Sequence, residues 1–123
     1  MFTVAVEKAG EIAVLDCTGR LVRGDAVSML RNAVTTQRDT RIFVLDLCEV
    51  DALDAGGISA LLNLHQWTSD RGSQLKLVNL SGFVLEVLQR TKLDHVFDIS
   101  SLHDALVVLA GSPPHEVRYA ACS

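Results

Sequence analysis

Proline is scarce in this sequence: two residues of 123, at positions 113 and 114. With so little proline, 8 glycines and 49% hydrophobic residues, the chain is neither disordered nor of low complexity. Cysteine is scarce too. Cys17, Cys48 and Cys122 are odd in number and far apart, which is no disulfide framework, and a reducing compartment is the expectation. Nowhere do apolar residues run to the roughly 18 that a membrane span needs, so the mean hydropathy of +0.29 points to core or interface. Cations are few and dispersed. The 11 Lys and Arg stand against 15 Asp and Glu, for a net charge of −4, which excludes the clustered positive surface of a nucleic-acid binder. The first residues carry Glu7, Lys8 and Glu11 inside an alternating pattern, a strand signature rather than a signal peptide, so a cytoplasmic location is expected without membrane insertion.

What is present reads as one α/β domain. Residues 2–6 alternate, residues 12–17 form a β-rich apolar run, and the turn between them predicts a hairpin. After the glycine-containing segment 18–25, Ala26, Leu30, Ala33, Val34 and Gln37 share one helical face. The run RIFVLDL at 41–47 is nearly all apolar, as in a strand of a parallel sheet buried on both faces. An acidic loop is expected next, then a helix over 55–70 with Ile58, Leu61, Leu62 and His65 inward. A strand at 75–78 follows, then a helix capped by Ser81, a short strand at 96–99 and a last helix at 102–109. The fold class is therefore α/β, mostly parallel, with an antiparallel N-terminal edge strand and helices following strands. The domain spans residues 1–110, and residues 111–123 form a loosely held tail.

The informative stretch is VLDLCEVDALDAGGISALLNL, residues 44–64. A buried strand leads to Asp54-Ala55-Gly56-Gly57 at a helix start, where unpaired N–H groups carry partial positive charge. Two glycines there leave room for a partner's backbone. Asp54 is an N-cap candidate and a partner-contact candidate. By chain topology the segments 19–25, 54–57 and 79–82 follow parallel strands and share one end of the sheet. Arg20 and Arg23 supply charge to that rim, and Phe83 opens the helix beside it.

These residues resemble the STAS domain (sulfate transporter and anti-sigma factor antagonist), most closely its bacterial anti-sigma factor antagonists. The resemblance rests on Gly19-Arg20-Leu21, on VLDL at 44–47, on the Asp-x-x-Gly-Ile turn at 54–58, on GSQLKLVNL at 72–80 and on VLEVLQRTKLDHVFDI at 84–99. It implies a non-catalytic switch without cofactor or metal, whose partner is an anti-sigma factor acting as a serine kinase, or another STAS-binding protein of stressosome type. In that family a Ser or Thr follows the Asp and is phosphorylated; here the position is Ala55, which has no hydroxyl to esterify. The partner-binding set that the resemblance and topology imply is Gly19, Arg20, Arg23, Asp25, Asp54, Gly56, Gly57, Ser59, Asn79, Ser81 and Phe83. Ser59 is the first hydroxyl downstream of Ala55. Val22 stands where many antagonists carry an Asp, with Asp25 three residues on.

Three other features compete for a role. Ala60, Leu64 and Trp67 form a second apolar stripe on the helix over 55–70, either covered by neighbours or exposed as a surface for docking or self-association. Asp16, Asp46, Glu49, Asp51 and Asp54 invite a reading as acid–base carboxylates or a metal site, but no phosphate loop or metal spacing accompanies them, and solvated loop acids and strand-end hydrogen bonds are favoured. His65, His95, His103 and His115 show no ligand spacing. Two alternative functions stay open: a STAS subunit bracing the ATPase of an ABC-type lipid-transport complex, and a weak nucleotide or anion site on the N–H groups of Gly56 and Gly57.

Overall fold

A computed structural model describes residues 1–100. The elements are β1 (Thr3–Ala9), β2 (Ile12–Leu21), α1 (Asp25–Thr35), β3 (Ile42–Leu53), α2 (Ala55–Asp70), β4 (Gln74–Val78), α3 (Gly82–Arg90) and β5 (Asp98–Ser100). They form one five-stranded sheet in the order β1-β2-β3-β4-β5. β1 pairs antiparallel with β2, and every other pairing is parallel. This is the α/β architecture that alternating periods of 2 and 3.6 imply. The expected helix at 102–109 and the tail at 111–123 lie outside the described residues.

Strand alternation divides the sheet into two faces. Ala13, Leu15 and Cys17 of β2, with Phe43 and Leu45 of β3 and Leu75 and Leu77 of β4, meet side chains from all three helices in one buried cluster. α1 contributes Ala26, Leu30 and Val34; α2 contributes Leu61 and Leu64; α3 contributes Val84 and Leu88. On the opposite face Val14, Val44 and Val78 form a second buried cluster, with Ile12 and Ile42 against it.

Two strands run longer than the sequence suggests. Residues 48–53, read as an acidic loop, are the second half of β3, and Thr18–Leu21, read as connector, completes β2. Thr18 pairs with Glu49, Gly19 with Val50, Arg20 with Ala52 and Leu21 with Leu53, with register shifts at Asp16/Thr18 and Gly19/Arg20. Each shift breaks strict alternation, so Val50 and Leu53 both turn inward although three residues apart, and the period-2 signal disappears. Gly19 sits in this irregular stretch with φ +104°, and a Cβ there would lie 1.9 Å from the Met1 carbonyl oxygen. Only glycine admits both that backbone conformation and the Met1–Phe2 segment passing over it.

α2 also sits differently from its expected orientation. Its buried face is Gly57, Ala60, Leu61, Leu64 and Thr68, while Ile58, Leu62 and His65 are half-buried on the flank. The second apolar stripe is therefore not an open surface. Ala60 and Leu64 are each 3% exposed, and Trp67 packs edge-on against Phe43 at 5.9 Å with the Arg71 guanidinium 4.5 Å from its ring centre. Ala60 and Gly57 are the small residues that let this side of the helix lie close to the strands.

Candidate functional site

The end of the sheet where β2 and β3 finish is held together by side chains that accept from, or donate to, backbone. Asp54 is the N-cap of α2: its Oδ1 accepts from Gly57 N–H at 2.9 Å. The same carboxylate accepts from Arg23 N–H, at 3.1 Å to Oδ1 and 3.2 Å to Oδ2. One side chain thus closes the first turn of α2 and fastens the β2–α1 loop to it. The hydrogen bonds from Gly57 and Arg23 stabilise the charged form and hold the Asp54 carboxyl below its ordinary value.

The glycines that follow Asp54 serve this closure. A Cβ on Gly57 would stand 2.1 Å from the Leu21 carbonyl oxygen, and one on Gly56 would stand 2.8 Å from Arg23 Cβ. The space they leave is filled by the chain's own β2–α1 connection. That corrects the expectation that they open the site to a partner's backbone: Gly57 is buried, and Gly19 and Gly56 are half-buried. Their N–H groups are spent as well. Gly57 donates to Asp54, and Gly56 also interacts with that carboxylate, so the pair expected to receive a nucleotide phosphate is engaged inside the protein.

A second tie joins α3 to β3. Ser81 caps α3, accepting from Val84 N–H at 3.2 Å, and its hydroxyl donates to the Val50 carbonyl at 2.8 Å. Asn79, at φ +51°, donates from Nδ2 to Asp46 Oδ2 at 3.3 Å. Of the three segments expected at one end of the sheet, two are thus tied to each other and the third to β3, where Ser81 and Asn79 act as internal fasteners. Sequence reasoning missed the Ser81–Val50 and Asp54–Arg23 cross-links, because the acceptor of the first and the donor of the second are backbone groups, which leaves no residue-type signal.

The exposed remainder is Arg20, Arg23, Asp25, Asp54, Ala55, Ser59 and Phe83. Ala55 opens α2 with its methyl in solvent, Ser59 follows one helical turn later, and Phe83 is 47% exposed in the first turn of α3. Around Ala55 the surface therefore combines an apolar methyl, the neighbouring Arg23 and a carboxylate already engaged by backbone.

Asp16 and Asp46 are register partners on β2 and β3, on the sheet face away from the helices. Asp46 accepts from Cys48 N–H at 3.0 Å and from Asn79. Burial, reinforced by the neighbouring Asp46 charge, pushes Asp16 up to about 6, and burial also raises Asp46 against those hydrogen bonds. Burial likewise pushes the Cys17 thiol up, leaving it an inert apolar group. Among the described residues no group of three or more His, Cys, Asp or Glu is placed to hold a metal ion, and no helix is long and apolar enough to cross a membrane.

The architecture is that of a small α/β domain: a mixed sheet with one antiparallel edge and a capped helix start at its rim. Residues 3–106 match the STAS domain family, and the chain belongs to it. The fold is shared with the anti-sigma factor antagonist SpoIIAA in its unphosphorylated form, at 19% identity and a TM-score of 0.75, over 91% of this chain and all of that one. An anti-sigma factor antagonist from Mycobacterium paratuberculosis matches at 22% identity and a TM-score of 0.72, over 89% and 95% of the two chains. A sulfate transporter family protein from Wolinella succinogenes matches at 20% and 0.70, over 80% and 84%. No curated protein sequence matches the chain.

Proposed function

We propose that this chain is a non-catalytic docking module of the anti-sigma factor antagonist kind, acting in the cytoplasm as one STAS domain over residues 1–110 with a tail at 111–123. Its partner is an anti-sigma factor of the serine-kinase type or a stressosome-type STAS-binding protein. The contact surface is the exposed set Arg20, Arg23, Asp25, Ala55, Ser59 and Phe83. A single observation carries the reading: residue 55 is a solvent-exposed methyl on the first turn of α2. A phosphate there would add about 1.5–2 negative charges to the surface. With no hydroxyl to receive it, docking at this surface is independent of the partner's kinase activity.

The test is a binding assay with the purified partner kinase, with and without ATP, read by complex formation and by intact mass. The wild-type chain is expected to stay unmodified and bound in both conditions. Ala55→Ser is expected to fold normally, gain one phosphate and then dissociate. ATP-dependent release of the wild-type chain with a phosphate on it would overturn the reading, as would selective binding to an ABC-type ATPase instead.

A further inference from the structure

Arg20, Arg23 and Asp25 of the proposed docking surface also line a groove whose apolar side that reading leaves unassigned. Where the N-terminal segment and the end of β2 approach α1, they enclose an open groove of about 570 Å3. Its apolar lining includes Met1, Phe2, Val22 and Met29, and Met29 is 39% exposed. Arg20 and Arg23 stand along it, both exposed, and neither guanidinium is in an ion pair among the described residues. Asp25 is the one carboxylate on the lining.

We propose that this groove receives a segment of a protein partner in which carboxylates stand beside bulky aliphatic side chains. The charge argument is local. The whole chain is acidic at −4, yet the groove lining carries two guanidiniums against one carboxylate, with Asp54 outside the lining and sensing the Arg23 charge. Guanidiniums recognise carboxylates through paired N–H donors, and methionine side chains adapt to varied apolar shapes. A free small molecule fits the groove less well. Small-ligand sites enclose most of their ligand, whereas here Met1, Thr3, Arg20, Arg23 and Met29 are open to solvent. A second copy of the chain is the remaining occupant, and two chains at −4 each repel one another at long range.

The inference extends the docking reading and rests on it for the existence of a protein partner. Asp54 connects the two surfaces physically, since its carboxylate holds Arg23 N–H and caps the helix that presents Ala55. A partner segment in the groove would therefore lie against a loop already fastened to the docking face.

The chain has only two methionines, Met1 and Met29, and both line the groove. Methyl-13C-methionine labelling of the full chain thus yields two resonances, each a reporter of this site. The probe is a short amidated peptide of glutamate and leucine, with its lysine–leucine counterpart as control. The acidic peptide is expected to shift both methyls saturably below millimolar concentration, and the basic peptide to leave them unmoved. Arg20→Ala combined with Arg23→Ala is expected to weaken binding by about tenfold, from two exposed charge contacts, while amide spectra show the fold retained. Methyls that stay still at millimolar acidic peptide, or respond equally to the basic one, overturn the proposal. So do methyl shifts that follow protein concentration without peptide, which would place a second copy in the groove. Because no kinase is present, failure here leaves the Ala55 reading standing, and failure of the ATP test leaves the groove standing.

Discussion

Asp16 places a titrating carboxyl in the middle of the pH range where the protein would be handled, and its replacement by Asn should change stability only on one side of that range. The geometry is a register pair: Asp16 of β2 beside Asp46 of β3 on the same face of a parallel sheet. Asp46 has two hydrogen-bond donors, whereas none of the side-chain hydrogen bonds described above reaches Asp16. Burial first, and the Asp46 charge second, raise the Asp16 pKa from 3.8 to about 6. In this direction the folded protein holds a proton that the unfolded chain releases. The Asp16 contribution to stability is therefore greatest below 3.8, falls as pH rises towards 6 and is level above it. Two pKa units correspond to about 3 kcal/mol as a ceiling. Asp16 is only half-buried, and solvent screening reduces that to about 1–1.5 kcal/mol. Asp16→Asn removes the penalty. Urea unfolding at pH 8 should show the variant more stable by about 1–1.5 kcal/mol at unchanged m-value, and unfolding at pH 3.5 should show no difference. Asp16→Asn combined with Asp46→Asn should gain less than the sum of the two, since each removes the other's repulsive neighbour. A pH-independent difference, or a variant less stable than wild type at pH 8, would refute the electrostatic account.

Gly57→Ala should destabilise the fold by about 3 kcal/mol in urea, because its Cβ meets the backbone oxygen of Leu21 rather than a movable side chain. Gly82→Ala, with nothing within 4 Å of its Cβ, should be neutral or stabilising by about 0.5 kcal/mol in the same assay. Asp54→Ala should raise the hydrogen-exchange rates of the Arg23 and Gly57 amides, which lose their acceptor, while the β4 amides stay protected. The Asp54 contribution is present above the ordinary carboxylate range and is lost as pH falls through its depressed pKa, so wild-type Arg23 should show the same faster exchange in strong acid. Trp67, edge-on to Phe43 and beneath Arg71, should emit at shorter wavelength than free tryptophan and resist iodide quenching; a red-shifted, fully quenched emission would contradict its packing.

The order of elements was legible because each carries an unbroken period: residues 41–47 as a buried strand, residues 26–34 as a one-sided helix. Legibility ended where one residue type served two environments. Glu49 and Asp51 read as loop acids, yet they are exposed positions of a strand whose inward residues, Val50 and Leu53, are set out of step by register shifts. α2 is apolar on two sides, and its sequence alone does not say which side meets the sheet. The pair Gly57 and Ala60 held that information, since small residues three apart mark where a helix can approach another backbone, and they select the face continuing through Leu61 and Leu64. Of the candidate site, the end of the sheet where β2 and β3 finish and the capping positions were legible. The partners of Asp54 and Ser81 were not, because the distant group in each is a backbone N–H or carbonyl.

The closed state of the α2 N-terminus gives the alanine at residue 55 its consequence. An uncapped helix start offers N–H groups and partial positive charge to any anion nearby. Here Asp54 occupies those donors from within, and its own charge is spent on Gly57 and Arg23. What faces solvent one residue later is a methyl group beside a satisfied carboxylate. An anion introduced at residue 55 would meet that carboxylate rather than an empty cradle, and repulsion would oppose it. Under the proposed docking function, a partner would read this surface by shape and by Arg23 of the adjacent loop. On the docking reading proposed above, regulation would act on the partner, on Ser59 or on the segment holding Arg20 and Arg23, since residue 55 itself has no hydroxyl to modify.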